Sequence, residues 1–296
     1  MLTNNHTYSH PTIGILHPGE MGISVAASAQ KIGCAVYWAS QGRSAATVDR
    51  ANRHGLLDAG SLADLCAVCS VIVSVCPPHA AEDLADQVIG AGFRGLYLDA
   101  NAIAPQRAVQ IGQRMERAGI AFVDGGIVGG PAWKPQSTWL YLSGSRAEEM
   151  AACFAAGPLE TKVLGPEIGA ASALKMCYAA HTKGTTALLA AILAAAEQYG
   201  VSEALAQQWD RDTPGFTAQT QQRVRRVTAK AWRFEGEMQE IAATLQAANL
   251  PAGFHQAAAA IYRRLAHFKD AAETPSLEEV IGALQVQADW SIGPNL

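Results

Sequence analysis

Short apolar runs alternate with helix-like stretches through the first half of the chain. Residues 23–32 and 46–53 are two of these helix-like stretches, and each lies between apolar runs. Strand and helix repeated at this spacing are typical of a parallel sheet covered by helices on both faces. The predicted strands are residues 12–16, 35–39, 71–76, 95–99, 121–124 and 139–143.

The pattern changes after about residue 165, where strand-like runs stop and stretches rich in alanine, leucine and glutamine follow with a period near 3.6. No proline interrupts residues 169–198, which are predicted to form one long helix. The later predicted helices are residues 202–210, 218–245, 253–268 and 276–288. We therefore expect an α/β fold: a doubly wound, Rossmann-like domain over 1–165 and an all-α domain over 166–296, joined by a long interdomain helix.

Composition narrows the possible functions. The 296 residues are 49% hydrophobic and 16% charged, and the net charge is −4 with no basic stripe, so nucleic acid is not an expected partner. The longest helical apolar run, 187–196, is too short to span a membrane, and we expect a cytoplasmic protein. Cys66 and Cys69 form a lone C-x-x-C; small buried side chains explain it better than zinc or redox chemistry, and no metal is expected.

The first βα turn reads HPGEMG over residues 17–22. The dinucleotide fingerprint G-x-G-x-x-G would place a glycine where His17 stands, while Gly19 and Gly22 fill its two later glycine positions. Pro18 removes one backbone donor. The turn predicts a pyrophosphate site at a helix N-terminus, and the alternative is an ordinary βα turn. The residues assigned to this site are Gly19, Glu20, Met21 and Gly22.

The end of the second predicted strand indicates which cofactor would bind. An NAD site normally has an acid here for the ribose hydroxyls, and none occurs between Cys34 and Asp49. Ser40, Arg43 and Ser44 occur instead, and a guanidinium with hydroxyl groups suits a phosphate. NADP is therefore favoured over NAD, unless Arg43 is only a solvated surface residue.

Two further strand ends are expected to lie at the ligand-binding edge of the sheet. Cys76 and Pro77 close one strand, and Asn101 follows the next. Asn101 is predicted to lie near the nicotinamide ribose or the substrate, although a helix cap or turn would explain it equally well. Farther on, Gly129 and Gly130 belong to a glycine-rich span that allows a ligand to approach the backbone, or simply forms a tight turn.

The long predicted helix carries the candidate for acid/base chemistry. Lys175 stands among small and apolar residues, with Tyr178, Ala179 and Thr182 on the same helical face. A lysine desolvated in this way can act as a general acid/base, whereas a lysine on a surface helix merely extends its ammonium group into water. These residues alone do not decide between the two interpretations.

Together these motifs resemble the β-hydroxyacid dehydrogenases, the family of 6-phosphogluconate dehydrogenase and 3-hydroxyisobutyrate dehydrogenase, and more narrowly a branch with its own C-terminal domain. The resemblance runs from Ile13 to about Leu265. The family's Met-Gly turn, its D-x-S-T/N-x-x-P segment, its D-x-P-V-S-G-G loop and its helix lysine recur here in the same order. They fall on Met21 and Gly22, on Asp99, Asn101 and Pro105, on residues 124–130 and on Lys175.

The resemblance implies hydride transfer between NADP(H) and a hydroxy acid or another alcohol/carbonyl pair, with Lys175 as general acid/base and Tyr178 assisting. It also implies a substrate site near Val128, Gly129, Gly130 and Lys175, and a homodimer formed through the α domain. Trp232 is placed in the wall of that site, although a structural role is more common for such a residue.

Departures from the family pattern keep other functions open. Val128 replaces the loop serine and Ala179 replaces the helix asparagine, so 6-phosphogluconate is not the expected substrate. An imine reductase or reductive aminase on the same scaffold is one alternative, although such relatives usually replace the lysine. A non-catalytic NADP(H)-binding protein is the other alternative.

Overall fold

The computed structural model of the protein describes residues 10–285. The chain forms two compact units, Met1–Tyr178 and Ala179–Leu296, which meet in sequence within one helical segment. The last predicted helix is described as far as Gln285, and its remaining residues, 286–288, lie outside the described part. The predicted division of roles between residues 1–165 and 166–296 stays a prediction.

The first unit contains an eight-stranded sheet in the order β3-β2-β1-β4-β5-β6-β7-β8. All neighbouring strands run parallel except β6 and β7, which are antiparallel. This confirms the predicted doubly wound α/β fold. The strands are β1 Ile13–Ile15, β2 Val36–Trp38, β3 Leu57–Asp58, β4 Val71–Ser74, β5 Leu96–Asp99, β6 Ala121–Gly129, β7 Thr138–Ser143 and β8 Glu160–Gly165.

Helices cover both faces of this sheet. They are α1 Glu20–Gln30, α2 Ala45–Arg53, α3 Leu62–Val68, α4 Ala81–Gly90, α5 Pro105–Arg117, α6 Ala147–Ala152 and α7 Ala170–Ala179. Alternate strand residues face opposite sides, so Val71 and Val73 pack into one core while Ile72 packs into the other. Burial on both faces explains why the central strands are continuous apolar runs.

The sequence analysis missed β3 and β8 and predicted too short a β6. β3 has only two residues, both exposed. β8, at the edge of the sheet, begins with three polar residues and has no buried position. Neither has the continuous apolar pattern of a central strand. β6 continues past Asp124 to Gly129, because β7 pairs with its glycine-rich half.

The second unit is entirely helical in its described part. Its elements are a π-helical turn Ala180–Gly184, α8 Thr185–Gln198, α9 Ser202–Asp212, α10 Phe216–Ala247, α11 Gly253–Leu265, a 3₁₀ turn Ala266–Asp270 and α12 Leu277–Gln285. Buried apolar residues recur along α10 every three to seven positions, as in Val224, Ala231, Met238 and Ile241. No helix of the described residues is long and apolar enough to cross a membrane.

The predicted long helix contains one irregularity, since α7 passes into α8 through the π-helical turn. Side chains bind the carbonyl groups of this turn: Arg223 and Thr186 donate to the Thr182 carbonyl oxygen, and the Tyr262 hydroxyl donates to that of Lys183 at 2.7 Å. Lys183 also forms a partly buried ion pair with Glu237. These contacts stabilise a helical form that is rare in proteins.

Candidate functional site

The glycine turn lies between β1 and α1, at the carboxyl edge of the sheet. A Cβ atom at Gly22 would lie 2.0 Å from the His17 carbonyl oxygen, so only glycine fits there. A Cβ atom at Gly19 would meet no atom within 4 Å, which leaves the backbone open to a ligand. One glycine therefore allows close packing between helix and strand, and the other leaves space at the helix N-terminus.

His17 replaces the first glycine of the fingerprint without backbone strain, because its φ angle is not positive. Its Nδ1 atom is buried and has no hydrogen-bond partner. Burial and the positive charge of Arg43 lower the pKa of His17 to about 4, so the ring is neutral at neutral pH.

The predicted phosphate-binding residues lie beside this turn, with an acid that the sequence analysis did not single out. Arg43 reaches back over the turn, and its Nη2 donates to the Leu16 carbonyl oxygen at 3.3 Å, while its Nε is buried without a partner. Ser44 lies at the start of α2, 3.1 Å from the Thr47 hydroxyl. Asp58, at the end of β3, accepts hydrogen bonds from Ser40, which help to lower the pKa of that carboxyl group.

Asn101 connects the ends of β4 and β5. Its Oδ1 accepts a bond from the Cys76 backbone N–H at 2.5 Å, and its Nδ2 donates to the Ser74 hydroxyl at 3.0 Å. The side chain is 2% exposed, so its hydrogen bonds hold together the strand ends that would border a cofactor. Cys76 and Pro77 are half-buried, and burial raises the pKa of the Cys76 thiol to about 12.

The central feature of the site is a close contact between α7 and β6. A Cβ atom at Gly126 would lie 2.5 Å from the Ala171 carbonyl oxygen and 3.0 Å from the Lys175 Cβ. Glycine at this position therefore lets the helix lie directly on the strand. Lys175 is half-buried, and Tyr178 is 47% exposed on the same helix.

The start of α7 is held by Asp124, which is fully buried in β6. Its Oδ2 accepts bonds at 3.0 Å from the Ser143 hydroxyl and from the backbone N–H groups of Gly169 and Ser172, and its Oδ1 accepts one at 2.5 Å from the Ser172 hydroxyl. Burial raises the pKa of this carboxyl group and the four hydrogen bonds oppose that rise. A carboxylate at a helix N-terminus is favourable, so Asp124 fixes the helix that carries Lys175.

The remaining predicted substrate residues divide between the two units. Val128 is half-buried in β6, and Gly129 has a φ of 122° with the Ser137 carbonyl oxygen 2.5 Å from its would-be Cβ, so it requires glycine. Gly130 is exposed with open space around it. Trp232 lies on α10 in the second unit, 38% exposed, with the Lys269 ammonium 4.4 Å from its ring centroid.

Two contributors to this arrangement, Gly126 and Asp124, were given no role of their own by the sequence analysis. Both lie within residues 124–130, which the sequence analysis matched to the family's loop, but their importance depends on the helix that packs over them. An acid within a buried apolar strand was the signal that identifies Asp124, because such a group needs several donors.

Comparison with known proteins agrees with this fold. Residues 12–155 match the model of the NAD binding domain of 6-phosphogluconate dehydrogenase. That match covers most of the first unit. Residues 196–265 match a second model, a domain of unknown function called DUF1932. The resemblance inferred from the sequence is thereby confirmed: a 6-phosphogluconate dehydrogenase-type NAD-binding domain is followed by a DUF1932 domain.

Individual relatives are similar to this chain in sequence or in fold. An uncharacterised 28.5 kDa protein of Methanothermus fervidus is 28% identical over 166 residues, which are 56% of this chain and 63% of that protein, so under two thirds of the relative's length is matched. A conserved protein of unknown function, described as structurally similar to 3-hydroxyacid dehydrogenases, is 29% identical, with a TM-score of 0.65 over 86% of this chain and 96% of its own. The 3-hydroxyisobutyrate dehydrogenase of Mycobacterium tuberculosis has the same fold, at 19% identity and a TM-score of 0.69 over 94% and 100% of the two chains.

Proposed function

We propose that this protein is an NADP(H)-dependent oxidoreductase that transfers a hydride between the nicotinamide and a hydroxy acid or another alcohol/carbonyl substrate. The observation that carries the proposal is the Lys175 helix, which lies on β6 at Gly126 and is fixed by Asp124. A general acid/base needs this kind of rigid support, because a small displacement of a catalytic group lowers the rate strongly.

The residues around the glycine turn fit a dinucleotide. Gly19 leaves the N-terminus of α1 open for a pyrophosphate, and Glu20, Met21 and Gly22 form the first helical turn beneath it. Arg43, Ser40 and Ser44 would hold the 2′-phosphate of NADP, after Arg43 releases the Leu16 carbonyl oxygen. Asn101, Cys76 and Pro77 would border the nicotinamide half.

When bound, the dinucleotide would supply the hydride acceptor for oxidation and the hydride donor for reduction. Lys175 Nζ takes the proton of the substrate hydroxyl during oxidation and gives a proton to the carbonyl oxygen during reduction. The exposed Tyr178 hydroxyl would orient that oxygen, and Val128, Gly129 and Gly130 would bound the substrate with an apolar and open surface.

The preference for NADP rests on Arg43 and is opposed by Asp58, whose carboxylate lies next to Ser40. The preference is tested by measuring the ratio of kcat/KM with NADPH to kcat/KM with NADH, in the wild type and in Arg43→Gln. We expect kcat/KM with NADPH to fall about tenfold or more in the variant, because a guanidinium–phosphate pair is strong and directional. The value of kcat/KM with NADH should change little. A ratio that the substitution leaves unchanged would refute the assignment.

The proposed activity is tested by following oxidation of NADPH with a panel of aldehydes, α-keto acids, β-keto acids and cyclic imines. Lys175→Ala should lower kcat by about 10²-fold or more, the usual contribution of a positioned acid/base. Lys162→Ala, at an exposed lysine on β8, is the matched control and should keep wild-type turnover. Turnover of imines alone would instead favour the reductive-amination alternative, and binding without turnover of any substrate class would favour a cofactor-binding protein.

A homodimer through the helical unit is part of the proposal. Exposed apolar side chains in that unit support it, among them Tyr199 at 80%, Leu250 at 54% and Phe254 at 46% exposure. Light scattering after size exclusion should give twice the chain mass of 31.1 kDa. A monomer at micromolar concentration would exclude this association.

A further inference from the structure

A groove in the first unit lies outside the cofactor and substrate residues, apart from Glu20 on its rim. It has a volume of about 400 Å³ and runs between α1, α2 and the loop that follows β6. Its lining residues are Glu20, Ile23, Arg50, Arg53, His54, Pro131 and Trp133. A groove of this size can hold a ligand of the size of a nucleoside monophosphate.

Two contacts hold the aromatic wall of the groove in place. The Trp133 ring stacks on His54 with ring centroids 5.1 Å apart and an interplanar angle of 20°, yet the residue is 48% exposed. The adjoining Ala132 N–H donates to the Ser24 hydroxyl on α1 at 2.9 Å, which fixes the loop. A large exposed aromatic ring on a fixed loop can stack on a second flat ring.

The α2 side of the groove provides positive charge. Arg50 Nη1 donates to the Pro18 carbonyl oxygen and Arg53 Nε to that of Asp49, each at 3.3 Å. Neither arginine forms an ion pair with a carboxylate within the described residues, whereas Arg107, Arg146 and Arg263 do. Glu20 is the one carboxylate among the lining residues, and it is suited to accept a hydrogen bond from an amino group.

We propose that this groove binds a phosphorylated aromatic ligand of the nucleoside monophosphate class, separately from the dinucleotide. The base stacks on Trp133 and the phosphate pairs with Arg50 and Arg53, because guanidinium groups bind phosphate oxygens in pairs. An exocyclic amino group donates to Glu20, which favours adenine or cytosine over uracil. The bond from Arg50 to Pro18 connects the groove to the glycine turn, so the ligand can influence that turn.

Calorimetric titration of the full chain with AMP in saturating NADPH tests this inference. We expect AMP to bind with the dinucleotide present, and adenosine to bind at least about tenfold more weakly, because it lacks the phosphate. Displacement of AMP by NADPH, or equal affinities for AMP and adenosine, would overturn the proposal.

Substitutions locate the binding. Arg53→Gln and Trp133→Ala should each weaken AMP binding by about tenfold, since base stacking on an aromatic side chain contributes on that scale. Arg117→Gln and Trp139→Ala alter an exposed arginine and a partly exposed tryptophan elsewhere in the unit and should leave the affinity unchanged. Equal losses in the control variants, or no loss at Arg53 and Trp133, would refute the site. If NADPH itself does not bind, the same titration without it still tests the groove, so failure of the proposed function remains distinguishable.

Discussion

Two neighbouring strands, β5 and β6, carry aspartates at paired positions and surround them very differently. Asp99 and Asp124 lie opposite each other in the parallel register, and both are almost completely buried. Asp124 accepts four hydrogen bonds, whereas Asp99 accepts one from the Asn101 N–H at 3.0 Å and its Oδ2 has no partner. The difference comes from α7, which presents its N-terminus to one carboxylate only.

The comparison shows how identical side chains acquire different roles. Asp124 organises the helix that carries Lys175, because its charge is matched by donors from three segments. Burial raises the pKa of Asp99 to about 7, against the bond from Asn101, and the nearby charge of Asp124 adds to the rise. One carboxylate is a structural anchor, and the other changes its protonation near neutral pH.

Asp124→Ala should have the largest effect on the difference between the two aspartates. The substitution leaves the buried donors of Ser143, Gly169 and Ser172 without their acceptor, so the free energy of unfolding should fall by about 3–5 kcal/mol. Urea denaturation measures this loss. Asp124→Asn keeps one acceptor atom, so its free energy of unfolding should fall less. Equal losses in the two variants would show that side-chain volume, and not hydrogen bonding, explains the effect.

The raised pKa of Asp99 should make the stability of the protein depend on pH. Below about pH 4 both the folded and the unfolded protein hold this proton, whereas between about pH 4 and pH 7 only the folded protein does. Raising the pH through this window therefore stabilises the unfolded chain, by about 1.4 kcal/mol for each pKa unit. Between pH 4 and pH 8, the free energy of unfolding of Asp99→Asn should therefore rise by about 2–4 kcal/mol relative to that of the wild type.

Thermal melts of wild type and Asp99→Asn across this pH range provide the measurement. Asp83→Asn, at an exposed aspartate on α4, is the control and should follow the wild type throughout. A constant difference between Asp99→Asn and wild type at all pH values would contradict the assigned titration.

Gly126→Ala probes the contact that the anchor at Asp124 maintains. The added methyl group would overlap the Ala171 carbonyl and the Lys175 Cβ, so we expect a loss of about 1–3 kcal/mol and a lower kcat as the helix moves. Gly130→Ala has open space around the added methyl group and should leave the free energy of unfolding nearly unchanged. Equal behaviour of the two alanine variants would mean that α7 does not depend on close contact with β6.

The smallest expected effect belongs to Ser143→Ala. Its hydroxyl donates to Asp124 and accepts from the Ala171 N–H at 3.1 Å, so the variant loses one of four bonds to the carboxylate. We expect a loss of about 1 kcal/mol in chemical denaturation. A loss as large as that of Asp124→Ala would show that the serine, rather than the carboxylate, holds the helix start.

The sequence predicted the features that depend on local pattern. Central strands such as β4 are buried on both faces and therefore contain continuous apolar runs, and the glycine turn follows β1 at the expected position. Edge strands escaped prediction because β8 has a solvent-facing side and β3 has two residues. The α-helical spacing of 3.6 residues per turn also does not predict which residues share the face of Lys175 beyond Ala179, because the π-helical turn changes the spacing there.

Site features that depend on tertiary contact were beyond the sequence pattern. The amino-acid sequence does not indicate that Gly126 lies beneath a helix, or that Arg43 turns back to the Leu16 carbonyl oxygen. Asn101 shows the same limit, because its side chain bonds to Ser74 and Cys76, which lie 25 or more residues away. The predicted roles of Lys175, Tyr178 and the cofactor residues stay predictions until activity is measured.

Of the six cysteines, all in the described part of the chain, Cys177 alone is exposed, and it lies two residues from Lys175. A thiol-reactive dye added in limiting amount would therefore attach to α7 without an engineered residue. Its emission would report directly, in solution and in real time, when a ligand reaches the helix that Asp124 anchors.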